Sequence, residues 1–545
     1  MLTKCVRSFS VGRFAVLAPQ VPDHALSAWG IVVIKPAPIV VAANPVTSVA
    51  RSASPHESAR LYSLAPRRRV LFVTSEMSDF VQAGGMGAVS AALPRALRRY
   101  CDVRVMLPGY RQVLERARET EIVAHLPGAA AIPPCSIGMT TLADGLIVYV
   151  VLCDELFNRD GSPYADAGGA DFCDNDLRFA RLSLAAAQWA ASGAYDWRPA
   201  SLHLNDWQTA LAAGYLAWGG LGAPALLTIH NLAHQGLFDA SRMSALAIPA
   251  YAFTMQGVEF FGRVSFLKAG LNYAAQIVTV SATYAKEITQ PEFGCGLDGL
   301  LAERAAQGSL TGILNGVDES WDPRRDHNCP NLYDPQRWKS RYADYVRGMF
   351  GLSLWRAPLF SFVSRLVHQK GVDLVLEAGE RIAELGGQLI VMGRGEPKME
   401  AELVALGARR RGAIGVRIGF DAVDARALFA GSDFVLMPSR FEPCGLTQMY
   451  AQRFGAIPIA RRTGGLAETI DDGKTGFLFD RAEIADLDEA VDRALEVSGA
   501  NKRLNELRRA AMALKYDWDD SASRYDAIHR ALEASRAANT QARAS

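Results

Sequence analysis

Short apolar runs recur along the chain from position 70 onward, and the stretches between them carry helical spacing. Val70-Leu71-Phe72-Val73 reads as a buried strand. Similar runs follow at 103–107, 146–152, 201–204, 225–229 and 276–280, with a helical pattern at 177–191 between two of them. The pattern then restarts at 359–363, 388–392, 416–418, 434–437 and 456–459. Over 370–385, Val372, Val375, Ile382 and Leu385 fall on one side of a helix. Strands alternating with helices predict parallel βαβ units with right-handed crossovers. The restart predicts an α/β fold of two Rossmann-like, doubly wound domains, over 67–311 and 312–513. A last helix is expected over about 518–537, within a C-terminal segment 514–545 whose final residues, 538–545, read as a frayed tail.

Composition agrees with an enzyme-like globular chain and narrows its partners. Half of the 545 residues are hydrophobic, and 58 basic residues stand against 57 acidic ones. That balance gives no global field for nucleic acid or an anionic membrane. The eight cysteines form no C-x-x-C pair and no metal-ligand spacing, which suits a reducing cytosol. The apolar stretch 31–43 is interrupted by Lys35, Pro36 and Pro38 and falls short of the ~20 residues of a membrane span.

Residues 1–66 differ from the rest. They hold two acidic residues, Asp23 and Glu57, and no clear helical or strand period. Two readings are open: a disordered extension or upstream start, which is favoured, and an organelle transit segment.

Open parallel sheets put functional loops at the carboxyl ends of their strands. With the two halves face to face, those ends line one deep cleft. After the first strand comes Gln82-Ala83-Gly84-Gly85-Met86-Gly87, a turn that is either a ligand-approach loop or mere chain geometry. Asp206 stands where the 201–204 strand enters a helix, and spacing slightly favours a helix N-cap over a sugar ligand. His230 follows the 225–229 strand and is either a core histidine or a site residue. Arg365 and Lys370 flank a strand-to-helix turn, an arrangement suited to a diphosphate; a helix start is a poor place for Lys unless an anion is near. Glu442 is confined between Phe441 and Pro443, and Arg461 to Leu466 opens a helix that offers N–H groups to a phosphate.

Taken together and in this order, Ser75-Glu76-Met77, Gly161-Ser162-Pro163-Tyr164, 228–236, 265–270, Leu314-Asn315-Gly316-Val317-Asp318, 364–371, 439–448 and 461–466 closely resemble bacterial glycogen synthases and plant starch synthases. These are glycosyltransferases of family 5, with the two-domain GT-B fold, and the likeness runs from about Arg69 to Trp518. The resemblance implies a retaining transfer of glucose from ADP-glucose to the non-reducing end of an α-1,4-glucan, in glycogen biosynthesis. It implies no cofactor and no metal, a cytoplasmic enzyme, no membrane or nucleic-acid partner, and leaves a homo-oligomer open. Plastid targeting by residues 1–66 is the alternative location.

Residue roles carry over by motif. Asp206 and His230 would contact the transferred glucose, Arg365 and Lys370 would hold the diphosphate, and Glu442 would bind glucosyl hydroxyls. Cys444, Gly445 and Leu446 would lie along the same sugar, with Asn231 and Asn315 lining its pocket. Thr463 and Gly464 would cap the distal phosphate, and Tyr164 would lie near the nucleotide. One loop departs from the family. Where Lys-Thr-Gly-Gly-Leu is usual, this chain has Gln82, Ala83, Gly84, Gly85 and Met86, and Ala88 replaces the usual acid. Donor affinity or acceptor handling is expected to differ there. Other readings are a related enzyme using UDP-glucose or another acceptor, and a catalytically weak glucan-binding protein.

Overall fold

A computed structural model describes residues 32–33, 67–117, 119–192, 197–325 and 335–544. The first large sheet carries the parallel core predicted from the apolar runs. Asp102–Pro108, Arg69–Val73, Ser201–Asn205, Ala225–Ile229, Gln276–Thr279 and Leu310–Gly312 lie side by side and parallel. Their side chains are buried on both faces, which is why they read as continuous apolar runs.

Beyond Asp102–Pro108 the sheet is not the purely parallel one expected. Ile147–Leu152 is parallel to it, but Cys135–Thr141 and Glu121–Leu126 continue as an antiparallel meander. Those two strands are short of long apolar runs; Cys135–Thr141 mixes Ser, Gly and Thr with its apolar positions. Of residues 1–66, Val32–Val33 are described and pair antiparallel with His125 and Ala124. The expectation of a disordered extension otherwise lies outside the described residues.

The second large sheet is parallel throughout, in the order Ile414–Ile418, Gln388–Gly393, Leu359–Val363, Phe434–Met437, Ile457–Arg461 and Phe477–Phe479. Its apolar residues form cores on both faces, one including Phe360, Val375 and Ile459, the other Val363, Leu428 and Ala460.

The last helix spans Trp518–Ala544, so the stretch expected to fray continues the helix. It does not stay with the second sheet, from which the chain has just come. It returns to the first domain, where Tyr525 and Ala522 join the core and Arg68 pairs with Asp526 at 2.6 Å and Glu533 at 2.9 Å. The chain therefore passes between the domains twice. The two passages touch: the Val317 N–H donates to the Tyr516 carbonyl, and a methyl group on Gly316 would stand 2.7 Å from the Trp518 ring.

Candidate active site

Loops that follow the strands of the two sheets come together, with Gly85 beside Leu446 and Ser281 bonded to the Pro443 carbonyl. On the first domain, Asn205, Asp206 and His230 come from neighbouring parallel strands, Ser201–Asn205 and Ala225–Ile229. Asp206 sits ahead of helix Trp207–Trp218 but does not cap it: no side-chain bond to that helix forms. Its Oδ1 instead accepts the His230 N–H at 2.7 Å and the Asn231 N–H at 3.4 Å. The cap reading fails because φ of 53° and ψ of −172° take the residue outside ordinary N-cap geometry. A non-glycine residue held at positive φ is uncommon and costs on the order of 1 kcal/mol. Burial pushes the Asp206 carboxyl up to about 7, against the pull of the two N–H donors, and the Glu76 charge adds to the rise.

His230 Nε2 pairs with Asn205 Oδ1 at 3.0 Å, and burial lowers its imidazole to about 4, so the ring is neutral at ordinary pH. Asn231 Oδ1 accepts from its own loop, at Ala233 N.

The glycine loop is organised by a residue to which the sequence reading assigns no role. Glu76 is buried at the end of the first strand, and its Oε2 accepts the N–H groups of Ala83 at 2.6 Å and Gly84 at 2.9 Å. Its other oxygen accepts from the Tyr164 hydroxyl, which also meets Ser75 Oγ at 3.0 Å. Tyr164, expected near the nucleotide, thus has its hydroxyl engaged in bracing this loop from within the first domain. The Gly84 N–H, expected to approach a ligand, is likewise taken by Glu76. Gln82 Nε2 donates to the Gly84 carbonyl at 3.0 Å. Gly85 faces the other domain: a methyl group there would stand 3.7 Å from Leu446 Cδ1.

On the second domain, the turn after Leu359–Val363 carries Arg365 and Lys370. Lys370 lies in the short 3-10 turn His368–Lys370, ahead of helix Val372–Glu384. Gly371 joins the two at φ of 70°, and a methyl group there would stand 2.2 Å from the Pro438 carbonyl oxygen, so only glycine fits. The anion that a lysine near a helix start calls for is Glu442: its Oε2 pairs with Lys370 Nζ and accepts from Ser439 Oγ at 3.0 Å. The two residues, read separately in sequence, form one largely buried ion pair. Arg365 is exposed; its one hydrogen bond among the described residues is a long 3.4 Å contact with Gln369. Its charge acts across the cleft on His234, whose imidazole is lowered first by burial and then by Arg365.

Cys444 is buried beside Asn315, and Gly445 takes φ of 69° with Gln448 packed against it. Burial pushes the Cys444 thiol up to about 12, which keeps it an unreactive neutral group.

Thr463 and Gly464 are not open to the cleft as a phosphate cap. Both are buried, and Glu287 of the first domain accepts from Thr463 Oγ1 at 3.0 Å and Gly464 N at 3.0 Å. Gly464 packs directly behind the Glu442 carbonyl, where a methyl group would stand at 1.9 Å. Nothing in the sequence marks Glu287, which lies on a short helix, Ala282–Glu287. Glu76 could have been found as a strand-end acid like Asp206. Among the described residues, no group of three or more His, Cys, Asp or Glu side chains is placed to hold a metal ion, and no helix is long and apolar enough to cross a membrane.

A family model for the starch synthase catalytic domain matches residues 69–303, and one for glycosyl transferases group 1 matches 356–511. The chain is 51% identical over 469 residues to a glycogen synthase of Pseudomonas syringae pv. syringae, covering 86% of this chain and 97% of that one. It is 53% identical over 462 residues to glycogen synthase 1 of Bradyrhizobium diazoefficiens, covering 84% and 100%. Among solved structures, the catalytic domain of starch synthase IV from Arabidopsis thaliana, bound to ADP and acarbose, matches with a TM-score of 0.76 at 28% identity, over 86% of this chain and 100% of that one. By sequence, domain order and GT-B fold, the chain belongs to the glycogen synthase and starch synthase family of glycosyltransferases.

Proposed function

We propose that the chain transfers glucose from ADP-glucose to the non-reducing end of an α-1,4-glucan, with retention of configuration. The observation that carries the reading is the Lys370–Glu442 ion pair on one domain, with Arg365 on the same turn as Lys370, and the Asp206–His230 contact at neighbouring strand ends of the other. A leaving diphosphate needs fixed cations, and a sugar needs hydrogen-bonding carboxylates and an imidazole. Arg365 and Lys370 would meet the diphosphate, with Lys370 shared between it and Glu442. Glu442, Asp206 and His230 would meet the glucose. The starch synthase IV neighbour, bound to ADP and acarbose, favours adenine as the base of the donor.

Retaining glycosidases hold two carboxyl groups ~5 Å apart about the bond, one of them a nucleophile. Here Glu442 is tied to Lys370 and Ser439, a poor state for a nucleophile. A front-face path suits this better: ADP departs as an oxocarbenium-like sugar forms, the acceptor hydroxyl attacks from the same face, and its proton passes to the departing phosphate oxygen. The cations supply electrostatic stabilisation and no group on the protein need become covalently bound.

Transfer of labelled glucose from ADP-glucose and from UDP-glucose to glycogen tests the reading. Incorporation from ADP-glucose is expected. Incorporation from UDP-glucose alone would move the donor assignment. Glycogen binding with no product from either donor would favour a glucan-binding protein, the reading that Gln82 in place of a lysine supports.

A further inference from the structure

One segment of the first domain grips the second directly behind the Glu442 loop. Ser281 Oγ donates to the Pro443 carbonyl at 2.7 Å while accepting the Tyr284 N–H, so one hydroxyl both caps its own helix and holds the loop. The Thr283 N–H donates to the Glu468 carboxylate. Glu287, at the end of the same helix, accepts from Thr463 Oγ1 and the Gly464 N–H. Gly465 N in turn donates to the Glu442 carbonyl at 3.1 Å, and Gly464 packs against the same carbonyl. Two backbone steps therefore lead from Glu287 to the residue that pairs with Lys370.

The placement of Glu287 does not come from its own helix. A carboxylate in the last turn of a helix faces the negative end of the macrodipole. Here it is half-buried, and burial raises its carboxyl above the usual range despite the two donors. What holds it is the other domain.

We propose that Glu287 is a positioning residue for glucosyl transfer: through Thr463 and Gly464 it fixes the Glu442 loop against the half of the cleft that carries Asp206 and His230. This rests on the function proposed above. Donor contacts on the second domain do not require Glu287, but the meeting of the two half-sites does. A misplacement of about 1 Å at such a site costs up to about 100-fold in rate.

The test uses the full chain with ADP-glucose and glycogen, and compares wild type, Glu287→Ala and Glu287→Gln. Glu287→Ala is expected to lower kcat by about 10- to 100-fold, with ADP affinity measured by calorimetry within about threefold of wild type. Glu287→Gln, whose carboxamide oxygen can accept both bonds, is expected to recover most of the loss. A kcat for a folded Glu287→Ala variant within about twofold of wild type would overturn the proposal. So would an equal loss of kcat and ADP affinity, or a Glu287→Gln variant no faster than Glu287→Ala. A wild-type protein with no transfer from ADP-glucose would instead defeat the functional reading on which the proposal stands.

Discussion

Lys370 and Glu442 stand 72 positions apart in sequence and share one buried ion pair, with Ser439 as a third member. The pair binds the turn after Leu359–Val363 to the loop after Phe434–Met437, two strands that are neighbours in the second sheet. Each residue thus sets the geometry of the other, and of whatever lies between them and Arg365.

Removing one partner leaves a buried charge without compensation, at a cost of about 3 kcal/mol or more. Lys370→Ala is expected to lower the thermal midpoint as well as turnover, the latter by about 10²–10³ as a preorganised donor is lost. Arg365→Ala should lower turnover on a similar scale with little change in thermal midpoint, because Arg365 is exposed. Near-normal rates in both variants would remove these cations from the reaction. Thermal scans beside initial rates separate the two effects.

Asp206 predicts the acid limb of the activity profile. Its carboxyl is raised to about 7 while His230 is lowered to about 4, so the titration near neutrality belongs to Asp206. Turnover should rise through pH 7 as the carboxylate forms. Stability moves the other way. A carboxyl raised in the folded state from 3.8 contributes stability below about pH 4 that is lost as pH rises through about 7. Asp206→Asn should therefore be stabilising, by on the order of a few kcal/mol, at pH 8 and near-neutral at pH 4, while turnover is lost. An unaltered stability difference across that range would remove the buried-acid account.

The C-terminal helix carries an acid-sensitive contact. His529 Nδ1 meets Ser201 Oγ at 2.9 Å, and its Nε2 lies 3.4 Å from His203 Nδ1. Burial holds His529 down to about 3, with Arg68 adding, and holds His203 well below its ordinary value. Depressed bases contribute stability above about pH 6.5 that is lost as pH falls towards the folded values. The thermal midpoint should drop between pH 6.5 and 4, and His529→Gln should flatten that drop. The difference between the two proteins across that range is the readout.

Gln82→Lys should raise kcat/KM for ADP-glucose. The stem of residue 82 packs near Gly87, where a methyl group would stand 2.9 Å from Gln82 Cγ, and a lysine shares that stem. A cation added beside the diphosphate is expected to give about tenfold, equivalent to about 1.4 kcal/mol. Steady-state kinetics on both proteins decide it, and no gain would show that this loop does not contact the donor.

The parallel strands were legible because burial on both faces makes them continuous apolar runs, as at Leu226 and Leu227 within Ala225–Ile229. The antiparallel meander was not, since Cys135–Thr141 has no such run. Among the candidate residues, strand ends marked His230, Arg365 and Glu442, while spacing at Asp206 slightly favoured a helix cap that the structure does not form. The pairing of Lys370 with Glu442 was hidden because it depends on strand order. Glu287 was hidden because its partners, Thr463 and Gly464, belong to another domain and look in sequence like an open helix start.

The two passages between the domains lie against each other at Val317 and Tyr516. They act as the spine of a book. Sliding one cover along the other would shear the spine, so the motion left is a turn about it. A turn about that spine brings Glu442 and Asp206 back towards one alignment, which the Glu287 contacts with Thr463 and Gly464 then fix.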